Sequence, residues 1–186
     1  MEPLEEKSYL KSTLIAAGIF GLIGTVLNIG MFNWMASGEP STFKFLMMSG
    51  GSMIICLLLG LAGFVAVWNF VKSEGGQVNT GKGAVIGLVT GIFLAVIMTL
   101  LGILYEVFDP TMLDRVADAM AGGMQTMLEG QPEEVVEESI NQIYESFDGQ
   151  KTLAGRAIGF LTNTLSFAMV NLIAGVIGGS VLKQDD

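Results

Sequence analysis

Four stretches of the chain carry no charged side chain: 12–38, 45–71, 83–105 and 157–182, with lengths of 27, 27, 23 and 26 residues. About 20 apolar residues wound as an α-helix cover the roughly 30 Å hydrocarbon core of a bilayer, and a backbone surrounded by lipid must satisfy its own N–H and C=O groups, as a helix does. The pattern therefore predicts four membrane-spanning helices, at about 12–36, 45–71, 83–105 and within 157–186. Polar segments separate them. Residues 1–11 form a charged N-terminal tail with Glu2, Glu5, Glu6, Lys7 and Lys11, and 39–44 is a short turn containing Pro40. Lys72 to Lys82 holds Gly75, Gly76, Asn79 and Gly81, residues suited to reversing the chain. Trp34 and Trp68 lie near span ends, where amphipathic rings favour the membrane interface.

Small residues recur within each span at helical spacing. The third has Gly83, Gly87, Gly91, Ala95 and Thr99, four apart, along one narrow face. The fourth has Thr164, Ala168, Asn171, Gly175 and Gly179; the second has Ser52, Cys56, Gly60 and Gly63; the first has Ala17, Gly21, Thr25 and Asn28. Lipid gives helices no hydrophobic reason to associate, so close packing of small residues and hydrogen bonds must supply it. We therefore expect helix-packing roles for Gly21, Asn28, Gly60, Gly83, Gly87, Gly91, Asn171, Gly175 and Gly179. The two asparagines are expected to act as hydrogen-bonding glue or, alternatively, to touch a solute.

The remaining long segment, 106–156, is water-facing and acidic, with eleven carboxylates against three basic residues. Its apolar positions follow a helical period. Leu113, Val116, Met120, Met124 and Met127 make one stripe after Asp109-Pro110, with Gly122-Gly123 expected to weaken or bend the helix. After Gly130, Pro132 with Glu133 and Glu134 restarts a helix whose stripe is Val136, Ile140, Ile143 and Phe147. Two amphipathic helices with a short break predict a helical hairpin. Its stripes either pack on each other and on the span ends or dock a partner, the Met-rich surface being adaptable. Cation binding by the glutamates is the third reading, although no calcium-loop order is present.

Composition bears on chemistry. The net charge of −9 argues against nucleic acid and anionic lipid headgroups as partners. There is no histidine, and the one cysteine, Cys56, lies in an apolar run, so no metal site, disulfide or cofactor is expected. The spans lack Asp, Glu, Lys and Arg, which removes the usual proton relays and any base to activate Ser52 or Ser166. Gly76 to Gly83 approaches a phosphate-binding loop, but its last position is not Ser or Thr and its neighbours are spans rather than a strand and a soluble helix. Ala36-Ser37-Gly38 loosely resembles a cleavage site, yet the apolar run before it is too long for a signal-peptide core.

Four spans, a Gly81-Lys82-Gly83 entry into a glycine-striped third span, Asp109-Pro110, an acidic helical insert and a C-terminal span together resemble domain of unknown function number 4199. The resemblance implies a four-span bacterial inner-membrane protein of Bacteroidetes type, and it carries over no catalytic residue. This chain is unusually acidic and lysine-poor beside that family. The expected fold is an all-α, polytopic four-transmembrane-helix bundle with an extramembrane hairpin. The expected role is non-catalytic, an accessory, scaffolding or assembly subunit that meets a protein partner or a second copy; the alternative is an oligomeric facilitator of small-solute or lipid movement lined by Asn28, Asn171 and the glycine faces. Lys7, Lys11, Lys72, Lys82 and Lys183 crowd short segments on one side, which predicts cytoplasmic termini and an external insert.

Overall fold

The computed structural model describes residues 8–182, apart from the side chain of Ser49. The expected charges at Glu2, Glu5, Glu6 and Lys7, and the C-terminal tail from Lys183, lie outside the described residues. Among the described residues 87% are helical and no strand occurs. The elements are α1 (Leu10–Ala36), α2 (Thr42–Ser73), α3 (Thr80–Phe108), α4 (Met112–Met127), α5 (Glu133–Lys151) and α6 (Leu153–Val181). Helices α1, α2, α3 and α6 are long and apolar enough to cross a membrane. α4 and α5 are amphipathic and pack on each other.

Helix boundaries extend past the charge-free runs because charge tolerates helix and only capping ends it. Lys11 is inside α1, Lys82 inside α3, and α6 begins at Leu153 rather than 157. Asn79 caps α3: its side-chain oxygen accepts from the Lys82 N–H at 2.8 Å. The tight turn before it uses Gly75 at φ +61°, in the left-handed region, and Gly76 lies against the Phe70 ring, where a Cβ would collide. Lys82 stands 5.0 Å from the centre of that same ring. A phosphate loop would need this backbone open to a ligand; here Asn79 and Phe70 occupy it.

Two compact units divide the chain. The first comprises Met1–Gly24, Cys56–Thr99 and Thr162–Asp186, and its core holds Ala16, Ala66, Val67, Phe70 and Ile86. Buried polar groups here are bonded at home: Thr13 donates to the Leu10 carbonyl at 2.7 Å and Thr90 to that of Ile86 at 2.7 Å. Ser12 accepts from Asn69 at 3.4 Å.

The second unit comprises Thr25–Ile55 and Leu100–Leu161. Val116, Ala117 and Phe147 form its buried cluster, with Leu113, Met120 and Ile143 from the hairpin and Phe32 and Met48 from α1 and α2 packed around it. α4 runs on through its paired glycines as one helix. Gly122 lets Pro40 approach and Gly123 lets Ser41 and Phe45 approach, so both serve contact with the α1–α2 turn. Nor does Asp109-Pro110 start α4. Thr111 is its N-cap, while Asp109 accepts from the Thr111 hydroxyl at 3.2 Å and pairs with Arg115.

Candidate functional site

Spacing of four puts Gly83, Gly87 and Gly91 on one stripe of α3. Facing it on α6 are Ala168, Asn171, Gly175 and Gly179. A Cβ added at Gly83, Gly87 or Gly91 would lie closer than 3.0 Å to a backbone carbonyl of Gly175, Asn171 or Phe167 respectively, and one at Gly175 would meet the Gly83 carbonyl. Gly179 meets the Asn79 carbonyl at 2.7 Å in the same sense. The two helices touch backbone to backbone, the approach that small-residue faces permit.

Asn171 joins a third helix to this seam. It is 0% exposed. Its side-chain oxygen accepts from the Gly63 N–H of α2 at 2.6 Å, and its amide nitrogen donates to the Phe167 carbonyl at 2.9 Å. The backbone carbonyl of Asn171 also fills the space that a Cβ on Gly63 or Gly87 would need. Gly60 admits Val170, and Gly21 of α1 admits Ile97 of α3. Gly24, absent from the expected set, does the same for Leu59 and Met98. Asn28 is half-buried, already has an interaction partner, and belongs to the second unit, whereas Asn171 belongs to the first. Cys56 is half-buried.

The hairpin uses most of its apolar stripe internally. Val116 and Phe147 are buried; Leu113, Met120 and Ile143 pack against them. Met124, Val136 and Ile140 are half-buried and Met127 is exposed. The small residues Ala117 and Ala121 are buried too, beside the larger residues of the stripe. Outward on α5 are Glu133, Glu134, Glu137, Glu138 and Glu145. Among the described residues no group of His, Cys, Asp or Glu is arranged to hold a metal ion.

The hairpin root carries charges of both signs. Arg156 of α6 pairs with Glu106 of α3 at 2.7 Å. Lys151 pairs with Asp114 at 2.6 Å and with Asp148 at 2.7 Å, and these hydrogen bonds push its ammonium up to about 12. Tyr144 donates to Asp118 at 3.0 Å, and its hydroxyl is raised by partial desolvation and then by that carboxylate. Asn33 of α1 donates to the Tyr105 hydroxyl at 3.2 Å. Glu106, Asp109, Pro110, Leu113, Asp114, Lys151 and Arg156 line a hollow of about 290 Å³.

One residue separates α5 from α6. Thr152 is extended, its hydroxyl donates to the Gly149 carbonyl at 2.7 Å and accepts from the Gly155 N–H at 3.0 Å, so it ends one helix and caps the next. A Cβ on Gly155 would run into the Gly149 carbonyl. The sequence signal was present in Thr152 followed by a small residue at 155, but the nearby charges at Lys151 and Arg156 obscured it.

Four apolar helices of spanning length, a glycine seam and an amphipathic hairpin fit a multi-pass helical membrane protein. The family model described as Protein of unknown function (DUF4199) matches residues 15–184, and the chain belongs to that family. No curated protein and no solved structure matches it.

Proposed function

We propose that this chain is a non-catalytic, bacterial inner-membrane protein that serves as an accessory, scaffolding or assembly subunit. One observation carries the reading: Asn171, the fully buried amide of the spanning helices, has its oxygen and nitrogen taken up by Gly63 and Phe167, where glycine backbones meet. A facilitator needs polar side chains turned toward a path, with bonds left to offer a solute. The outer, acidic face of α5 is exposed and suits a basic patch on a partner.

Gentle-detergent purification of the full chain tests this. A stoichiometric partner of different sequence is the expected result, and its loss on replacing Glu134, Glu137 and Glu138 by Gln would assign the acidic face. A homo-oligomer that confers solute flux on liposomes would replace this reading with the facilitator.

The reading also includes an orientation, with termini in the cytoplasm and the hairpin outside. Ser146 and Ser73 are both exposed. In a Cys56→Ala background, cysteine at Ser146 should react with an impermeant maleimide applied from outside and cysteine at Ser73 should not. The reverse labelling would move the partner into the cytoplasm.

A further inference from the structure

We propose that the hairpin root binds the headgroup of a zwitterionic phospholipid bearing a primary ammonium, of the phosphatidylethanolamine kind. The hollow of about 290 Å³ is lined by both signs of charge. Its depth in the membrane follows from the sequence. Glu106 is the first charge after the 23-residue uncharged run of α3, and Arg156 is the last before the 26-residue run of α6. They pair at 2.7 Å, so both mark the level at which hydrocarbon ends and headgroups begin.

The surface beside the hollow is apolar and open. Val107, Phe108 and Leu153 are 74%, 78% and 86% exposed; Val107 and Phe108 adjoin Glu106 and Asp109 in the chain, and Leu153 follows Thr152 at the joint between Lys151 and Arg156. They continue the lipid-facing surface of Leu104 and Ile158, both exposed as well. An apolar rim around a charged hollow fits a molecule with a polar head and acyl chains, and a free phosphoethanolamine would leave that rim in water.

Charge selects among headgroups. Arg156 and Lys151, each already held by neighbouring acceptors, turn their remaining guanidinium and ammonium N–H groups to a phosphate. Glu106, Asp109 and Asp114 offer carboxylate acceptors to an ammonium. With three acids against two bases in the lining, a purely anionic headgroup meets net repulsion. A choline headgroup brings no N–H to donate. A primary ammonium satisfies both halves of the lining.

The full chain, reconstituted in nanodiscs of equal phosphatidylethanolamine, phosphatidylcholine and phosphatidylglycerol and then exchanged into mild detergent, would be assayed for retained lipid by mass spectrometry. Ethanolamine lipid should be retained about fivefold or more over each competitor, the scale of one charge-assisted hydrogen bond. Glu106→Gln should bring that ratio to about one. The double exchange Glu106→Arg with Arg156→Glu rebuilds the ion pair with reversed polarity, so it should keep wild-type melting yet lose the lipid preference; a merely structural pair would recover both. Glu129→Gln, exposed near the α4–α5 turn and outside the lining of the hollow, should change neither. Equal retention of the three lipids by the unmodified chain, preference for phosphatidylglycerol or phosphatidylcholine, or an unchanged ratio in the double exchange would overturn the proposal.

Discussion

The α3–α6 seam and the α4–α5 hairpin are both helix pairs, but they are held by opposite means. Along the seam the contact is backbone against backbone, because Gly83, Gly87, Gly175 and Gly179 contribute no side chain. In the hairpin it is side chain against side chain, with Val116 and Phe147 enclosed by Leu113, Met120 and Ile143. The difference follows from solvent. Water drives apolar side chains together and rewards bulk, at about 25 cal/mol per Å² of apolar surface buried. Lipid does not, so a pair in lipid gains by close approach and hydrogen bonds. The seam has no atoms to lose and the hairpin has few to spare.

Adding atoms should break the first and removing them should break the second. Gly87→Leu would drive a side chain into the Asn171 carbonyl, which is backbone and cannot yield. Overpacking commonly costs about 1–3 kcal/mol, and a rigid neighbour puts this case at or above about 3. Thermal unfolding in detergent should show it, with Ile92→Leu, at an exposed position, near wild type. Leu94 is no control for this experiment: it lies off the glycine stripe but is fully buried.

Phe147→Ala should cost about 3 kcal/mol by cavity formation. Proteolysis within the hairpin should rise while the glycine seam stays protected in hydrogen exchange. Equal loss of protection in both regions would show that they unfold as one.

Asn171→Leu should cost less, on the order of 1 kcal/mol for the lost interhelical bond, plus the misfit of a branched side chain beside Gly63. Amide exchange at Gly63 is the direct readout, and unchanged protection there would remove the bond from the account.

The smallest expected effect is electrostatic and alkaline. Lys151 is raised to about 12 from an ordinary 10.5, so the stability of its pairs with Asp114 and Asp148 is fully present below 10.5 and lost as pH climbs through about 12. Tyr144, also raised, loses its contribution in the same direction. Hairpin stability should therefore show no Lys151-dependent change across neutral pH. The difference between wild type and Lys151→Met, read by denaturant titration, should be small, as for exposed pairs generally, and should vanish in strong base.

The spans were legible because exclusion of charge over more than 20 residues admits few structural solutions. The faces of Gly87 and Gly175 were legible for a related reason: regular placement of the smallest residue in lipid has one main use. That they face each other, and that Asn171 ties them to Gly63, depends on which helices become neighbours, which one chain's periodicity does not encode. The hairpin was legible as two amphipathic helices. Its Met-rich stripe could not reveal whether it faced itself or a partner, because the same apolar pattern serves both. The pairing of Glu106 with Arg156, and the hollow beside it, joins positions far apart in sequence and leaves no local signature.

The joint at Thr152 limits how the hairpin can vary. A single residue whose hydroxyl serves both helices fixes the phase of α5 to that of α6, so each inserted residue would rotate the acidic face by about 100° and break the two hydrogen bonds at the joint. The α4–α5 turn has no such coupling: Gly130 stands at φ +91° with open space around the position of an added Cβ. Length variation within the hairpin should concentrate there, and an epitope tag grafted at Gly130 should leave membrane accumulation intact where the same tag at Thr152 abolishes it.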